Sequence, residues 1–461
     1  MHISRCSTLL LALFLNSAAA LAATDGQVSN EGGKKHWTGI WATMPQLTEP
    51  ANLPPAPYNA SGLVFHNATI RQTIKVALRA RTIRLRLSNA FGGADLPIAA
   101  ATIALPAVRN GSTGLSAIDP ATLQTLTFSG GSASYTVPMG ALAVTDPVEF
   151  LSGLKEGSVV TVSLYLAEGQ ATNLVTSHPG SRTTSYFAPG NVVSAADIAT
   201  VSPSGSDTTK SADHWYFISA LEAWLPRSQN SALAIVGDSI TDGRGSTTNQ
   251  NDRWPDQLQA RLNSRSHSFS SSSSSSSHKI AILNQAAGGN RVLHDGLGPN
   301  ALSRIDRDVL AQPGVRYALL FEGVNDIGTA ATDPTSQHAV GTQLIAAYEQ
   351  ILARLHAARL PVFGATITPF CGGAPGLQPY SDPERERTRQ RVNAWIRGSG
   401  RFDAVVDFDA LVRNSSRPDQ LRDEYNSGDY LHLNPAGYEA MGGAVDLALF
   451  DKFADGVDRM V

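Results

Sequence analysis

The stretch Leu233-Ala-Ile-Val-Gly-Asp-Ser-Ile-Thr-Asp242 decides how the second half of this chain is read. Four apolar residues, Leu233 to Val236, stop at Gly237, and Asp238, Ser239, Thr241 and Asp242 follow. A short, unbroken apolar run closed by glycine reads as a buried strand of a parallel sheet, ending in a tight turn that carries Ser239. In open parallel sheets chemistry gathers just beyond the carboxyl ends of the strands, so a serine there is a candidate nucleophile. Taken alone, Gly-Asp-Ser reads more readily as a turn followed by a helix cap than as a catalytic serine.

Outward from that stretch the texture alternates. Strands are expected at residues 233–236, 280–284, 317–322, 362–368 and 404–407, and helices at 254–262, 301–311, 337–359, 383–397 and 435–450. Strand, helix, strand repeated in this way predicts an α/β unit over 231–461, a parallel sheet covered on both faces. A serine-rich stretch, 264–277, ends in eight consecutive serines and reads as a flexible low-complexity loop between the first helix and the second strand. The flanking His267 and His278 give only a weak case for a metal.

Upstream, residues 37–226 carry β signals. The stretches 69–77 and 82–88 alternate apolar and polar residues, Asn89, Gly92 and Gly93 punctuate them, and 99–105, 135–138 and 159–165 continue the pattern. Residues 213–224 read as the last strand and 226–230 as a linker. Many short alternating strands predict a β-sandwich of jelly-roll type. Two roles are open to this half: binding glycan or shaping the cleft, and purely structural support.

Four blocks carry chemistry. Gly237-Asp-Ser-Ile240 follows the first strand, Asn284-Gln-Ala-Ala-Gly-Gly-Asn290 the second, and Glu322-Gly-Val-Asn-Asp326 the third, while Asp429-Tyr-Leu-His432 precedes the last helix. A serine hydroxyl needs a neighbouring base, for which His432 is the candidate. The histidine needs an acceptor on its other ring nitrogen, and Asp429, three residues earlier, can curl back within one turn. The tetrahedral oxyanion needs preorganised donors: the backbone N–H of Ser239, the N–H of Gly289 and the side-chain amide of Asn325. Asp238 braces the turn. Each piece also has a plain reading as a turn, a cap or a surface loop, and the joint occurrence in order is what argues for a site.

With these blocks the sequence resembles the SGNH (GDSL-type) hydrolases, over residues 231–450. The resemblance implies a three-layer, flavodoxin-like domain with Ser239 as nucleophile, Asp429 and His432 completing the triad, and Ser239, Gly289 and Asn325 forming the oxyanion hole. Family spacing from Asn284 selects Gly289 over Gly288. The stretches 287–299 and 307–315 also resemble secreted members with an N-terminal β domain. No Gly-x-Ser-x-Gly elbow, phosphate-binding Gly-x-x-x-x-Gly-Lys-Ser/Thr or His-Glu-x-x-His motif is present.

Composition bounds the rest. The 461 residues suggest two units, and a hydrophobic share of 42% with 16% charged residues suits sizeable cores. A net charge of −3 gives no reason to expect nucleic acid or an anionic membrane surface. Arg5, the apolar run 9–15 and a small-x-small site at 20–22 read as a cleaved signal peptide over 1–23, too short to span a bilayer. Residues 24–36 read as a disordered polar segment. Cys6 would leave with the leader, and Cys371 reads as inert packing. Sequons at Asn59, Asn67, Asn110 and Asn414 suit N-glycosylation of a secreted, extracellular protein. The expected function is a secreted serine carboxylic-ester hydrolase needing no metal or cofactor, acting on short acyl esters, with acetylated polysaccharide as a candidate substrate. A lipase or acylhydrolase on longer chains, or a non-catalytic glycan-binding protein, are the rivals.

Overall fold

The computed structural model describes residues 34–201, 208–268, 278–374 and 376–459. The expected leader, the segment 24–33 and residues 269–277 with the serine run lie outside the described residues.

The first half is built from antiparallel sheets. One joins Lys35–Ala42, Ile218–Pro226, Ala80–Ser88 and Val148–Leu154, with Leu142–Val144 on Ala80–Ser88. A second runs Lys210–Ala212, Ser185–Pro189, Ala68–Lys75, Val159–Leu166, Ala100–Ala104 and Gln124–Thr125, and two smaller sheets of three and two strands complete this half. Alternation puts Ile40, Ile83, Leu85 and Leu87 of the first, and Ile70, Ile74, Val162 and Leu164 of the second, into one shared core. Two expectations are corrected here. Lys35 and His36 are not disordered but paired with Pro226 and Leu225. The stretch 213–224 is not one strand: Phe217 takes φ 63, and this break separates Trp215–Tyr216 from Ile218–Pro226.

The second half is a parallel sheet of β1 (Asn230–Gly237), β2 (Lys279–Ala286), β3 (Val315–Phe321), β4 (Val362–Ala365) and β5 (Ala404–Val406), in the order β2-β1-β3-β4-β5. Its helices are α1 (Ser239–Asp242), α2 (Trp254–Ser268), α3 (Ala301–Ile305), α4 (Val324–Thr329), α5 (Pro334–Ala357), α6 (Pro383–Gly398), α7 (Phe408–Val412), α8 (Pro435–Ala444) and α9 (Ala448–Lys452). Residues 264–268 are helical, so α2 runs into the stretch read as loop. The single final helix expected at 435–450 is two helices, parted at Val445–Leu447, where Asp446 Oδ1 accepts from Ala448 N at 2.9 Å in a local turn.

Near the β2 edge, one face of the parallel sheet is covered by the antiparallel half. Ala232, Ala281 and Leu283 belong to the first half's core cluster. Gly39 lies so close that a Cβ there would stand 2.9 Å from Leu283 Cδ1, and its N–H donates to Pro313 O at 2.9 Å. Only residues 227–229 separate the last antiparallel strand from β1.

Candidate active site

The site begins at the end of β1. A Cβ on Gly237 would stand 2.5 Å from Thr241 Oγ1, so the turn needs glycine. Asp238 then caps α1, its Oδ1 accepting from Ile240 N at 2.9 Å. This is the bracing role expected of Asp238. Ser239 is the first residue of α1, where a backbone N–H has no partner within the helix.

Ser239 Oγ and His432 Nε2 are 2.7 Å apart, and His432 Nδ1 lies 2.6 Å from Asp429 Oδ2. The chain Ser239–His432–Asp429 is therefore continuous, although Ser239 and His432 are 193 positions apart. The acid reaches back through a local loop. Asn426 Oδ1 accepts from the N–H groups of Gly428 and Tyr430, and Tyr430 sits at φ 61. Asp429 Oδ1 then accepts from Leu431 N at 3.0 Å and His432 N at 2.8 Å, leaving Oδ2 for the ring. One carboxylate oxygen shapes the turn while the other orients the imidazole.

The protonation pattern follows from these contacts. Burial works to raise the Asp429 carboxyl, but hydrogen bonds from the His432 ring and two backbone N–H groups outweigh it and hold the group well below the ordinary range. Burial lowers the His432 ring below 6.5, with Arg244 and Arg182 pushing the same way against Asp429. A neutral imidazole beside an ionised aspartate is the state a general base requires.

The second block is tied to the first and the third. Ala287 N donates to Gly237 O at 3.1 Å, and Asn284 Nδ2 to Thr241 O at 3.1 Å. Gly289 takes φ 68, and its N–H has no acceptor among the described residues. Asn325 Nδ2 donates to Asn290 O at 2.8 Å, while Asp326 accepts from Val292 N and Leu293 N at 2.8 and 3.0 Å. The second Nδ2 proton of Asn325 is uncommitted among the described residues. All the expected residues, Ser239, Gly289, Asn325, Asp429 and His432, thus stand on four blocks joined by hydrogen bonds.

Sequence reasoning missed three supports. Tyr380 O–H donates to Asn325 Oδ1 at 3.0 Å, and Gln378 Nε2 donates to Asp429 O at 2.6 Å. Both come from a glycine-rich loop before α6, with no local signal for either role. Beside the Asn284–Asn290 loop, buried Arg304 donates to Asn290 Oδ1 at 2.9 and 3.1 Å, to Gln285 O at 2.6 Å and to Glu322 Oε1 at 3.3 Å. Arg304 also donates to buried Asp308 Oδ2 at 3.0 Å, and three further buried carboxyls, Asp238, Glu322 and Asp326, influence one another nearby. Burial, then the charges of Asp326 and Asp242, push Asp238 up to about 7. Burial also raises Asp326 and, helped by Asp238, takes Glu322 well above its ordinary value.

Among the described residues no group of three or more His, Cys, Asp or Glu side chains is placed to hold a metal ion. His278 bonds Ser231 Oγ at 2.8 Å, and the His267 side chain lies outside the described part. Cys371 is buried, and burial raises its thiol. A cavity of about 240 Å³ between the halves is lined by Trp41, Trp215, Arg253 and Gln259, and by none of the five site residues.

Residues 235–440 match the model of the GDSL-like lipase/acylhydrolase family. No curated protein matches the chain. Solved structures similar to it include a carbohydrate acetylesterase family member from Sinorhizobium meliloti, at 14% identity and a TM-score of 0.36, covering 48% of this chain and 98% of that one. An aryl esterase from M. smegmatis is 14% identical at a TM-score of 0.35, covering 49% and 100%. A GDSL-like lipase from Bacteroides thetaiotaomicron is 15% identical at 0.32, covering 48% and 89%.

Proposed function

We propose that this chain, whose residues 235–440 are a GDSL-like lipase/acylhydrolase domain, is a secreted carboxylic-ester hydrolase that works through an acyl-enzyme on Ser239. The observation that carries the reading is the unbroken hydrogen-bond chain from Ser239 through His432 to Asp429. His432 Nε2 takes the serine proton as Oγ attacks the acyl carbon. The N–H groups of Ser239 and Gly289 and the amide of Asn325 receive the oxyanion. His432 then gives its proton to the departing alcohol, and an acyl-serine remains. Water, deprotonated by His432, releases the acid and restores the serine.

Short acyl groups, acetyl on polysaccharide foremost, are the substrates we favour, on the sequence grounds of a leader-like start and a β-rich first half. Of the sequons, Asn59, Asn67 and Asn110 are exposed and Asn414 is half-buried, which suits glycans on the first three. A longer-chain acylhydrolase is the second reading: Leu297, which packs on Gly289, is 52% exposed and offers an apolar contact near the oxyanion loop. Among the described residues no helix is long and apolar enough to cross a membrane.

The test is hydrolysis of 4-nitrophenyl acetate and laurate. Ser239→Ala should lose activity about 10⁴-fold or more, and undiminished activity would sink the mechanism. Faster turnover of laurate than acetate would reverse the preference for short acyl groups.

A further inference from the structure

Arg182 comes from the antiparallel half, yet it stands among the surroundings of Ser239. The segment 178–183 is pressed onto α1. His178 Nε2 pairs with Asp242 Oδ1 at 2.8 Å, both side chains being buried. A Cβ on Gly180 would fall 1.7 Å from Asp242 Oδ2, so only glycine fits there. Ser181 O accepts from the Arg253 guanidinium. Arg182 O accepts from Asn249 N at 2.9 Å, in the loop that follows α1. The backbone of Arg182 is itself held at φ 47 and ψ 34, a left-handed conformation in which a non-glycine residue is strained.

Its guanidinium makes no hydrogen bond or ion pair among the described residues, and its Nε is buried without a partner. Asp242, whose charge it feels, is already taken by His178. Arg244 is a second such cation. Its N–H donates to Ser239 O at 2.9 Å, and its carbonyl accepts from Tyr438 O–H, which fixes its backbone beside the nucleophile. Its exposed side chain likewise has no acceptor among the described residues. Both charges reach His432, where they add to burial in lowering the ring.

A buried guanidinium edge without an acceptor is costly, and a ligand oxygen removes that cost. Arginine takes a carboxylate through two parallel N–H···O bonds, and two arginines side by side repel each other until an anion lies between them. We infer that Arg182 and Arg244 form an anion subsite beside the scissile ester, so that the preferred substrate carries a carboxylate close to that ester. This rests on the hydrolase reading above and narrows it. It also gives the antiparallel half a function, since that half supplies one of the two cations. The carboxylate has two possible sources: a uronic-acid residue bearing the acetyl group, on the alcohol side, or a dicarboxylic acyl group.

The experiment compares kcat/KM within two substrate pairs. Acetylated oligogalacturonate is set against acetylated xylo-oligosaccharide, and mono-4-nitrophenyl succinate against 4-nitrophenyl butyrate. The anionic member of one pair should lead by about tenfold or more, and that pair names the source. The lead should shrink about tenfold in Arg182→Gln and in Arg244→Gln, survive in part in Arg182→Lys, and fall with added salt. A control, Arg81→Gln on the exposed surface of the same half, should leave it unchanged. Arg244→Gln removes an exposed, unpartnered side chain, so it keeps the test open if Arg182→Gln does not fold. Neutral members leading in both pairs, or a lead that survives both glutamine variants, would overturn the subsite. A wild-type protein that fails to hydrolyse even 4-nitrophenyl acetate would overturn the hydrolase reading itself.

Discussion

Tyr380→Phe separates support of the proposed oxyanion hole from support of the fold. The Asn325 amide is held at both ends, Oδ1 by Tyr380 O–H at 3.0 Å and Nδ2 by Asn290 O at 2.8 Å. Burial raises the Tyr380 hydroxyl above its ordinary value, so it stays a donor at working pH. Phenylalanine keeps the ring, which fills the space a Cβ on Gly328 would need (2.2 Å from Tyr380 Cδ2) and packs edge-on to Phe370. Only the hydroxyl is lost. A neutral hydrogen bond contributes about 1 kcal/mol net, so kcat should fall about fivefold, with KM nearly unchanged because the oxyanion exists only in the transition state. Asn325→Ala, which deletes the donor outright, should cost about 10²–10³ in kcat. Adding Tyr380→Phe to Asn325→Ala should then cost nothing more. Initial rates with 4-nitrophenyl acetate for the four proteins complete the cycle. If Tyr380→Phe lowers kcat by the same factor with and without Asn325, the tyrosine does not act through that amide, and the reasoning fails.

Activity should be lost on the acid side with a midpoint below 6.5, since burial first, then Arg244 and Arg182, lower His432; in a kcat/KM–pH profile, Arg244→Gln removes a positive neighbour and should move that midpoint up. Asp238→Asn should flatten the dependence of stability on pH. Burial raises the folded Asp238 carboxyl from 3.8 to about 7, so its contribution is full below pH 3.8 and lost as pH rises to about 7. That loss is on the order of 4 kcal/mol, and the asparagine keeps the cap on Ile240 N. Denaturant titrations at pH 4.5 and 7.5 measure the difference, and equal slopes for the two proteins would contradict it. Gly289→Ala places a β-carbon at φ 68 and 2.8 Å from Leu297 Cδ1. Leu297 can swing aside, so the melting experiment should read a loss of only about 1–2 kcal/mol while kcat falls with the displaced N–H.

The proposed constellation was legible because each member sits where a local pattern changes. Apolar runs mark β1, β2 and β3, and Ser239, Gly289 and Asn325 follow where those runs stop. Asp429 and His432 are three residues apart, so their contact is nearly local. Tyr380 and Gln378 left no such trace, because their partners Asn325 and Asp429 lie 55 and 51 positions away and a loop has no period. Arg182 was hidden for the same reason: nothing in 178–183 announces that it will meet α1. The ends of α2 and α8 escaped because helix boundaries are set by local turns such as the one at Asp446 rather than by periodicity.

The strand Lys35–Ala42 lies at once in an antiparallel sheet and against the face of a parallel one. With residues 227–229 alone joining the halves, there is no tether long enough for them to part. Removing the first half would strip from Ala232, Ala281 and Leu283 the core cluster in which they are buried. The two halves therefore share one melting event rather than two. A calorimetric scan should trace a single endotherm, and recombination that swaps one half for a foreign module would have to carry the facing strand with it.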